Sequence, residues 1–245
     1  MVRRLTGSGA GAEVVVGKAD PGKTYALDAA REAWEASGIP VTGVALADRA
    51  ALELEASAGI PSTTLARLLG QLDDHRAGSP IKPGSVLVVD EAGMVGTRQL
   101  ARLLDHAEAQ QVKVVLVGDP HQLPEIDAGG LFRALATRLP PVELTDNRRQ
   151  HHTWEQVELD ELRHGDPDTA LATYRQHGRI HTAATAEQVR ATLVHDWWAT
   201  ARDDLSGSVM IALRRNDVAD LNHRAHAAML TAGRLTGPAL HAGDG

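Results

Sequence analysis

The chain has 245 residues, which is long enough for one large α/β domain or for one domain and part of a second. It holds no cysteine and no apolar run of membrane-spanning length, so disulfides, thiolate metal sites and a membrane segment are excluded and a cytoplasmic location is expected. Its formal net charge of -7 argues against wholesale coating of a polyanion, while a local basic groove is compatible with it.

In chain order, short apolar runs alternate with segments of helical periodicity over the first 147 residues. Strands are predicted at 13–16, 41–47, 86–89, 112–117 and 142–144. Helices are predicted at 23–37, 50–58, 63–72, 96–110 and 129–138, and Ser62 and Thr63 are expected to cap the third of them. This alternation predicts a parallel sheet with helices on both faces, an α/β architecture.

The remainder of the chain is predicted to be mainly helical. Residues 151–202 have a helical pattern that breaks near 165–167 and again near 178. A last strand is predicted at 209–213, followed by a helix at 218–232.

The segment Gly17–Thr24 fits the pattern G-x-x-x-x-G-K-[ST] and lies between a predicted strand and a predicted helix. In that setting the backbone N–H groups of Gly17, Ala19 and Gly22, together with the helix N-terminus, can bind phosphates. The Lys23 charge suits the β- and γ-phosphates of ATP, and the Thr24 hydroxyl is a ligand for Mg²⁺. The alternative, a chance Gly-Lys-Thr in a surface turn, conflicts with the agreement of strand, spacing and helix.

Asp90 and Glu91 directly follow the uniformly apolar strand at 86–89. In an open α/β sheet, ligands bind at the carboxyl ends of the strands. Asp90 can therefore hold Mg²⁺, directly or through water, and Glu91 can orient or deprotonate an attacking water. An acidic pair at the start of a helix is the alternative, and the phosphate loop upstream makes it the weaker one.

Two further motifs follow predicted strands. In Gly118-Asp119-Pro120-His121-Gln122-Leu123, the Gln122 amide could sense a γ-phosphate by hydrogen bonding, although Gly-Asp-Pro is also ordinary turn chemistry. In the segment 143–150, an arginine of the pair Arg148-Arg149 could reach a γ-phosphate from the side as an arginine finger. Two solvated arginines are the alternative for that pair.

Together these motifs, GKADPGKT, DEAGM, GDPHQL and NRRQ, resemble those of superfamily 1 helicases of the RecD-like branch, and more closely the helicase region of TraA-type (MobF class) conjugative relaxases. The resemblance implies a P-loop NTPase (RecA-like) domain at 1–147, then a helical linker and an incomplete second RecA-like domain at 148–245. It implies Lys23, Asp90, Glu91, Gln122 and Arg149 as catalytic residues, with Arg149 rather than Arg148 as the finger.

The resemblance also implies a motor that couples ATP hydrolysis to translocation on single-stranded DNA. Segments 45–51 and 60–65 are similar to segments of the family that contact DNA, and 211–222 is similar to the opening of the second RecA-like domain. The remainder of a relaxase-helicase, or the conjugation machinery, is the expected partner.

The chain departs from the family pattern in three places. Asp20-Pro21 stands where the family usually has Gly-Thr, which removes one N–H donor and adds a like charge near the triphosphate, so weak ATP binding is our hypothesis. Residues 1–12 hold no counterpart of the glutamine segment that reads adenine. The family's later helicase motifs and its relaxase domain have no counterpart either, so a piece of a larger protein without strand-unwinding activity is expected.

Two other functions are therefore kept beside the helicase hypothesis. One is a nucleotide-binding remnant or interaction module with weak or no ATPase activity. The other is a P-loop ATPase of another lineage, kinase-like or AAA-type, which the Gln122 and Arg149 motifs disfavour.

Overall fold

The computed structural model describes residues 1–17, 22–74, 79–122, 130–144 and 152–235. The chain divides into two compact units, residues 1–164 and the residues from 165 onward, and each is described by itself. The boundary predicted at 147/148 stays a prediction. None of the helices in the described ranges is long and apolar enough to cross a membrane.

The first unit is built on a six-stranded sheet with the order β3-β2-β4-β5-β1-β6, in which neighbouring strands are parallel. The strands are β1 Ala12–Gly17, β2 Val41–Ala45, β3 Ser62–Thr64, β4 Val86–Val89, β5 Lys113–Gly118 and β6 Val142–Leu144. The helices are α1 Val2–Gly7, α2 Gly22–Ala36, α3 Asp48–Ala58, α4 Leu65–Asp73, α5 Thr97–Ala109, α6 Leu131–Arg138 and α7 Thr153–His164. The predicted parallel α/β sheet is confirmed.

Helices cover both faces of this sheet because successive strand residues point to opposite sides. Val14, Leu87 and Leu116 pack with buried residues of α4, α5 and α6. Val15 and Val88 belong to a second buried cluster with residues of α1, α2 and α3. The central strand β4 is therefore apolar and buried at every position, as expected of a parallel strand that is covered on both faces.

The register brings four strand ends together at the carboxyl edge of the sheet. Val16 of β1 is paired with Gly118 of β5, and Gly17 is paired with Leu144 of β6. Val89 of β4 is paired with Leu116 of β5. The phosphate loop, the acidic pair and the GDPHQL motif thus leave the sheet from three adjacent strands.

Two elements of the first unit have no counterpart among the predicted elements. The short β3 pairs with β2, and Gly43 makes this possible because a Cβ there would overlap the Ser62 hydroxyl and lie 2.8 Å from Cδ2 of Leu54. Thr64, not Ser62 or Thr63, caps α4 by accepting a hydrogen bond from the Arg67 N–H at 3.3 Å. The other element is α1, whose Leu5 is fully buried.

The regular elements in the described part of the second unit are three helices, α8 Pro167–Gln176, α9 Ala186–Ala201 and α10 Arg215–Thr231. Ion pairs from Arg190 to Asp217 at 2.9 Å and to Asp220 at 2.6 Å join α9 to α10. The strand predicted at 209–213 is wrong: this segment has no regular structure. A strand needs a hydrogen-bonded neighbour, and residues 165–235 contain no other strand.

Candidate nucleotide-binding site

Lys23 lies in the first turn of α2 and packs against the end of β1. It is only 8% exposed. A Cβ on Gly17 would lie 2.9 Å from both Cγ and Cδ of Lys23, so the lysine stem can reach this position only because residue 17 is glycine. Gly22 begins α2 and Thr24 is half-buried beside Lys23. The predicted contact of Ala19, like Asp20 and Pro21, lies outside the described residues.

The Lys23 ammonium fits a phosphate group. Its Nζ is buried and has no hydrogen-bond partner in the described part of the chain. A buried ammonium is costly unless an anion pairs with it. Because the N-terminus of α2 also favours negative charge, a triphosphate would satisfy both groups at once.

Asp90 follows β4 directly, and its N–H donates a hydrogen bond to the Val44 carbonyl at 2.9 Å. Its Oδ1 accepts a hydrogen bond from the Glu91 N–H at 2.9 Å. Burial raises the pKa of the Asp90 carboxyl, a change that the Glu91 N–H and the Lys23 charge partly oppose and that Glu53 increases. The fold therefore brings Lys23 and Asp90 within electrostatic range of each other.

Glu91 has a left-handed backbone, with φ 50° and ψ 37°, and it precedes a single 3₁₀ turn at Ala92–Met94. Residues other than glycine rarely adopt this conformation, and strained backbone of this kind clusters at functional sites. The strain therefore supports a functional role for Glu91.

The motifs that follow β4 and β5 touch through two glycines. A Cβ on Gly118 would lie 2.9 Å from the Gly93 nitrogen and 3.1 Å from Cζ of Phe132. A Cβ on Gly93 would lie 3.0 Å from the Asp119 carbonyl oxygen. Sequence reasoning missed both glycines as site residues, although each stands inside a motif that it identified.

Gln122 is half-buried in the turn after β5, where its N–H donates to the Asp119 carbonyl at 3.3 Å. The Asp119 side chain, 3% exposed, accepts a hydrogen bond from the His121 N–H at 2.9 Å and forms an ion pair with Arg163 of α7 at 2.6 Å. Sequence reasoning missed Arg163, because 44 residues separate the partners and no spacing rule links them.

Other predicted residues are placed as follows. Arg149 lies outside the described residues. The predicted DNA-contacting segment 45–51 runs from the end of β2 into α3, and segment 60–65 contains β3. In the first of these segments, Arg49 is exposed.

Comparison with known proteins gives consistent results. A family model described as an AAA domain matches residues 1–185. The probable conjugal transfer protein TraA of Sinorhizobium fredii is 39% identical over 227 residues, which are 91% of this chain and 20% of that protein. The RecBCD enzyme subunit RecD of Mycolicibacterium smegmatis is 36% identical over 149 residues, which are 56% of this chain and 26% of that protein.

A solved structure, Bacteroides sp Pif1 in complex with ADP-AlF4, has a TM-score of 0.51 at 19% identity and covers 90% of this chain and 54% of that one. This likeness shows the fold alone. The chain spans only 20% of the length of the TraA protein that it matches. It belongs to the AAA domain family, and its similarity to TraA and RecD proteins supports a helicase-type nucleotide-binding segment.

Proposed function

We propose that this chain binds ATP with Mg²⁺ and hydrolyses it, and that hydrolysis drives movement along single-stranded DNA as part of a larger relaxase-helicase. The observation that carries the proposal is the buried Lys23 ammonium, which lacks a partner among the described residues and lies near the half-buried Asp90. A cation and a carboxylate at the carboxyl edge of a parallel sheet suit a nucleotide phosphate and its metal ion.

In this proposal the phosphates bind to backbone N–H groups of Gly17, Ala19 and Gly22 and to the Lys23 ammonium. The Thr24 hydroxyl and the Asp90 carboxylate would hold Mg²⁺, and the ion would supply positive charge to the phosphate oxygens. Burial of Asp90 raises the pKa of its carboxyl. A bound dication would offset that burial and favour the ionised form.

The other three catalytic residues act on the attacking water and the γ-phosphate. Glu91 orients the water and accepts its proton, from a backbone that is already fixed in a strained conformation. Gln122 donates a hydrogen bond to the γ-phosphate, and the Arg149 guanidinium stabilises the negative charge of the transition state.

Single-stranded DNA and the rest of a conjugation machinery are the proposed partners. Three TraA relatives are named as conjugal transfer proteins, and the RecD relative as a RecBCD enzyme subunit. Segments 45–51 and 60–65 are the proposed DNA contacts, and 148–245 the proposed linker and partial second RecA-like domain. A cytoplasmic location belongs to the same proposal.

A second candidate function is a nucleotide-binding remnant or interaction module with little ATPase activity. Asp20-Pro21 favours it, because proline offers no N–H and the aspartate repels a triphosphate. A lost hydrogen bond to a charged group weakens binding by about 1.5–3 kcal/mol.

An ATPase assay with and without single-stranded DNA tests the proposal. We expect DNA-stimulated turnover that falls by about 10²–10³-fold in Lys23→Ala, because that variant removes a charge from the transition state. Lys82→Ala, which removes an exposed lysine of the same unit, should match the wild type.

Absence of turnover in the wild type under both conditions contradicts the proposal and favours the remnant. The loop hypothesis is checked by titrating a fluorescent ATP analogue into the wild type and into Asp20→Gly with Pro21→Thr. Tighter binding by the double variant supports the hypothesis, and equal affinities refute it.

A further inference from the structure

The turn that carries Gln122 is held from a distance by α7. Asp119 stands at the start of this turn, and its carboxylate is 3% exposed. One oxygen accepts the His121 N–H at 2.9 Å, and the other pairs with Nη2 of Arg163 at 2.6 Å. Arg163 lies in the last turn of α7, the final element of the first unit.

The Asp119 backbone contacts both neighbouring motifs. Its carbonyl oxygen accepts the Gln122 N–H at 3.3 Å. The same oxygen lies so close to Gly93 that a Cβ there would be 3.0 Å away. A shift of Asp119 therefore moves the Gln122 turn and disturbs the DEAGM motif at the same time.

The ion pair has a marked effect on the turn because the carboxylate is buried. A buried charge that loses its partner must regain water or move. Among the described residues, Arg163 is the only charged side chain that pairs with this carboxylate. Arg133 also contacts the turn, but it donates to the Pro120 carbonyl at 2.8 Å from an exposed position and carries no counter-charge to Asp119.

We infer that Arg163 is a positioning residue for ATP hydrolysis: through Asp119 it fixes the Gln122 turn, and so connects the γ-phosphate sensor to α7. Residue 165, where the second unit begins, follows α7 directly. The inference rests on the proposed function of this site, and it assigns a role to α7, a helix in which the sequence predicted no site residue.

Hydrogen exchange tests the positioning independently of turnover. We expect the peptide that covers 113–122 to exchange about fivefold faster or more in Arg163→Ala, because the His121 and Gln122 amides lose their fixed acceptors. Arg102→Ala is the matched control, since it removes an ion pair with Asp73 on the surface of the same unit. Unchanged exchange in Arg163→Ala overturns the inference.

Kinetics test the effect on chemistry. Arg163→Ala should lower kcat of the DNA-stimulated ATPase by about 10-fold or more with KM changed less than about twofold, because a misplaced group loses transition-state contacts. Gln122→Ala should cause a similar loss, and the double variant should lose little more than either single one. Losses that multiply, or a change confined to KM, would contradict the inference.

Two cases need to be distinguished from a failure of the inference: a variant that does not fold and a wild type without turnover. If Arg163→Ala does not fold, as judged by circular dichroism, Arg163→Gln replaces it in both experiments and the same thresholds apply. If the wild type has no turnover, the proposed function fails while the exchange experiment still decides whether Arg163 holds the turn. Faster exchange combined with wild-type kcat overturns the positioning role.

Discussion

Two apolar segments of this chain have nearly the same local sequence pattern, but only one of them forms a strand. Val86–Val89 forms β4, where no residue is more than 2% exposed. The segment 209–213, Val-Met-Ile-Ala-Leu, has no regular structure, and Val209, Ile211 and Leu213 are 79%, 83% and 100% exposed. The first segment is paired with β2 and β5 on its two sides. The second has no strand beside it among residues 165–235.

The difference shows that an apolar run predicts a strand only when the fold also supplies its neighbours. Backbone N–H and C=O groups must be paired when they are buried, and a parallel strand obtains its partners from distant parts of the sequence. In the first unit those partners are present, and burial of the side chains follows. In the second unit α9 and α10 satisfy their own backbone groups, so helices form without a sheet.

The largest expected effect is a matched pair of leucine truncations. Leu87→Ala should lower the free energy of unfolding by about 2–5 kcal/mol, because Leu87 is fully buried between β2 and β5. Leu213→Ala should change it by less than about 0.5 kcal/mol, because Leu213 is fully exposed. Urea unfolding followed by circular dichroism measures both. A similar loss in the two variants would show that 209–213 is buried in solution.

The sequence predicted the first unit well because each of its signals is local and agrees with the sheet. Valine runs that end at glycine or at an acidic pair predicted β1, β4 and β5, and helical periodicity predicted α2 and α5. It could not predict β3, whose three polar residues become a strand only because Gly43 allows Ser62 to approach β2. The strand predicted at 209–213 is wrong because residues 165–235 contain no strand with which this apolar segment could pair.

The sequence predicted the residues of the candidate site that lie in motifs, but not the contacts between those motifs. Lys23, Asp90 and Gln122 belong to motifs that follow strand ends, and the strand order places those ends side by side. Their roles remain proposals. Arg163 and the contact between Gly93 and Gly118 could not be predicted, because they depend on how close two loops and a distant helix pack.

Two glycines, one in each unit, differ in how closely their neighbours pack. Gly118→Ala should cost about 1–3 kcal/mol of stability, because the added methyl group would lie 2.9 Å from the Gly93 nitrogen and 3.1 Å from Phe132. Gly207→Ala, in the second unit, should stay within about 0.5 kcal/mol, since its Cβ would meet nothing closer than 3.4 Å. Thermal unfolding compares the two variants with the wild type. If the two variants lose the same free energy of unfolding, the close contacts of Gly118 at the ends of β4 and β5 have no effect of their own on stability.

Two aspartates differ between the units in the sign of their pKa change, and this gives the smallest predicted effect. Burial raises the pKa of Asp90, so the folded first unit disfavours its ionised form. The hydrogen bond from Arg224 lowers the pKa of Asp220, so the folded second unit favours its ionised form. At neutral pH, Asp90 therefore opposes folding and Asp220 supports it.

Asparagine variants, free of nucleotide and metal, should show opposite pH dependence. Asp90→Asn should be more stable than the wild type at pH 7, and the gain should vanish as the pH falls through the raised pKa of Asp90, where the wild-type carboxyl takes up a proton. Asp220→Asn should be less stable at pH 7, and its deficit should close only at lower pH, because the wild type keeps that charge until the lowered pKa of Asp220 is reached. Urea midpoints measured at descending pH values follow both differences. If Asp90→Asn is the less stable protein at pH 7, the Asp90 carboxylate is held by Lys23 more strongly than burial penalises it, and the site is organised for charge before any nucleotide binds.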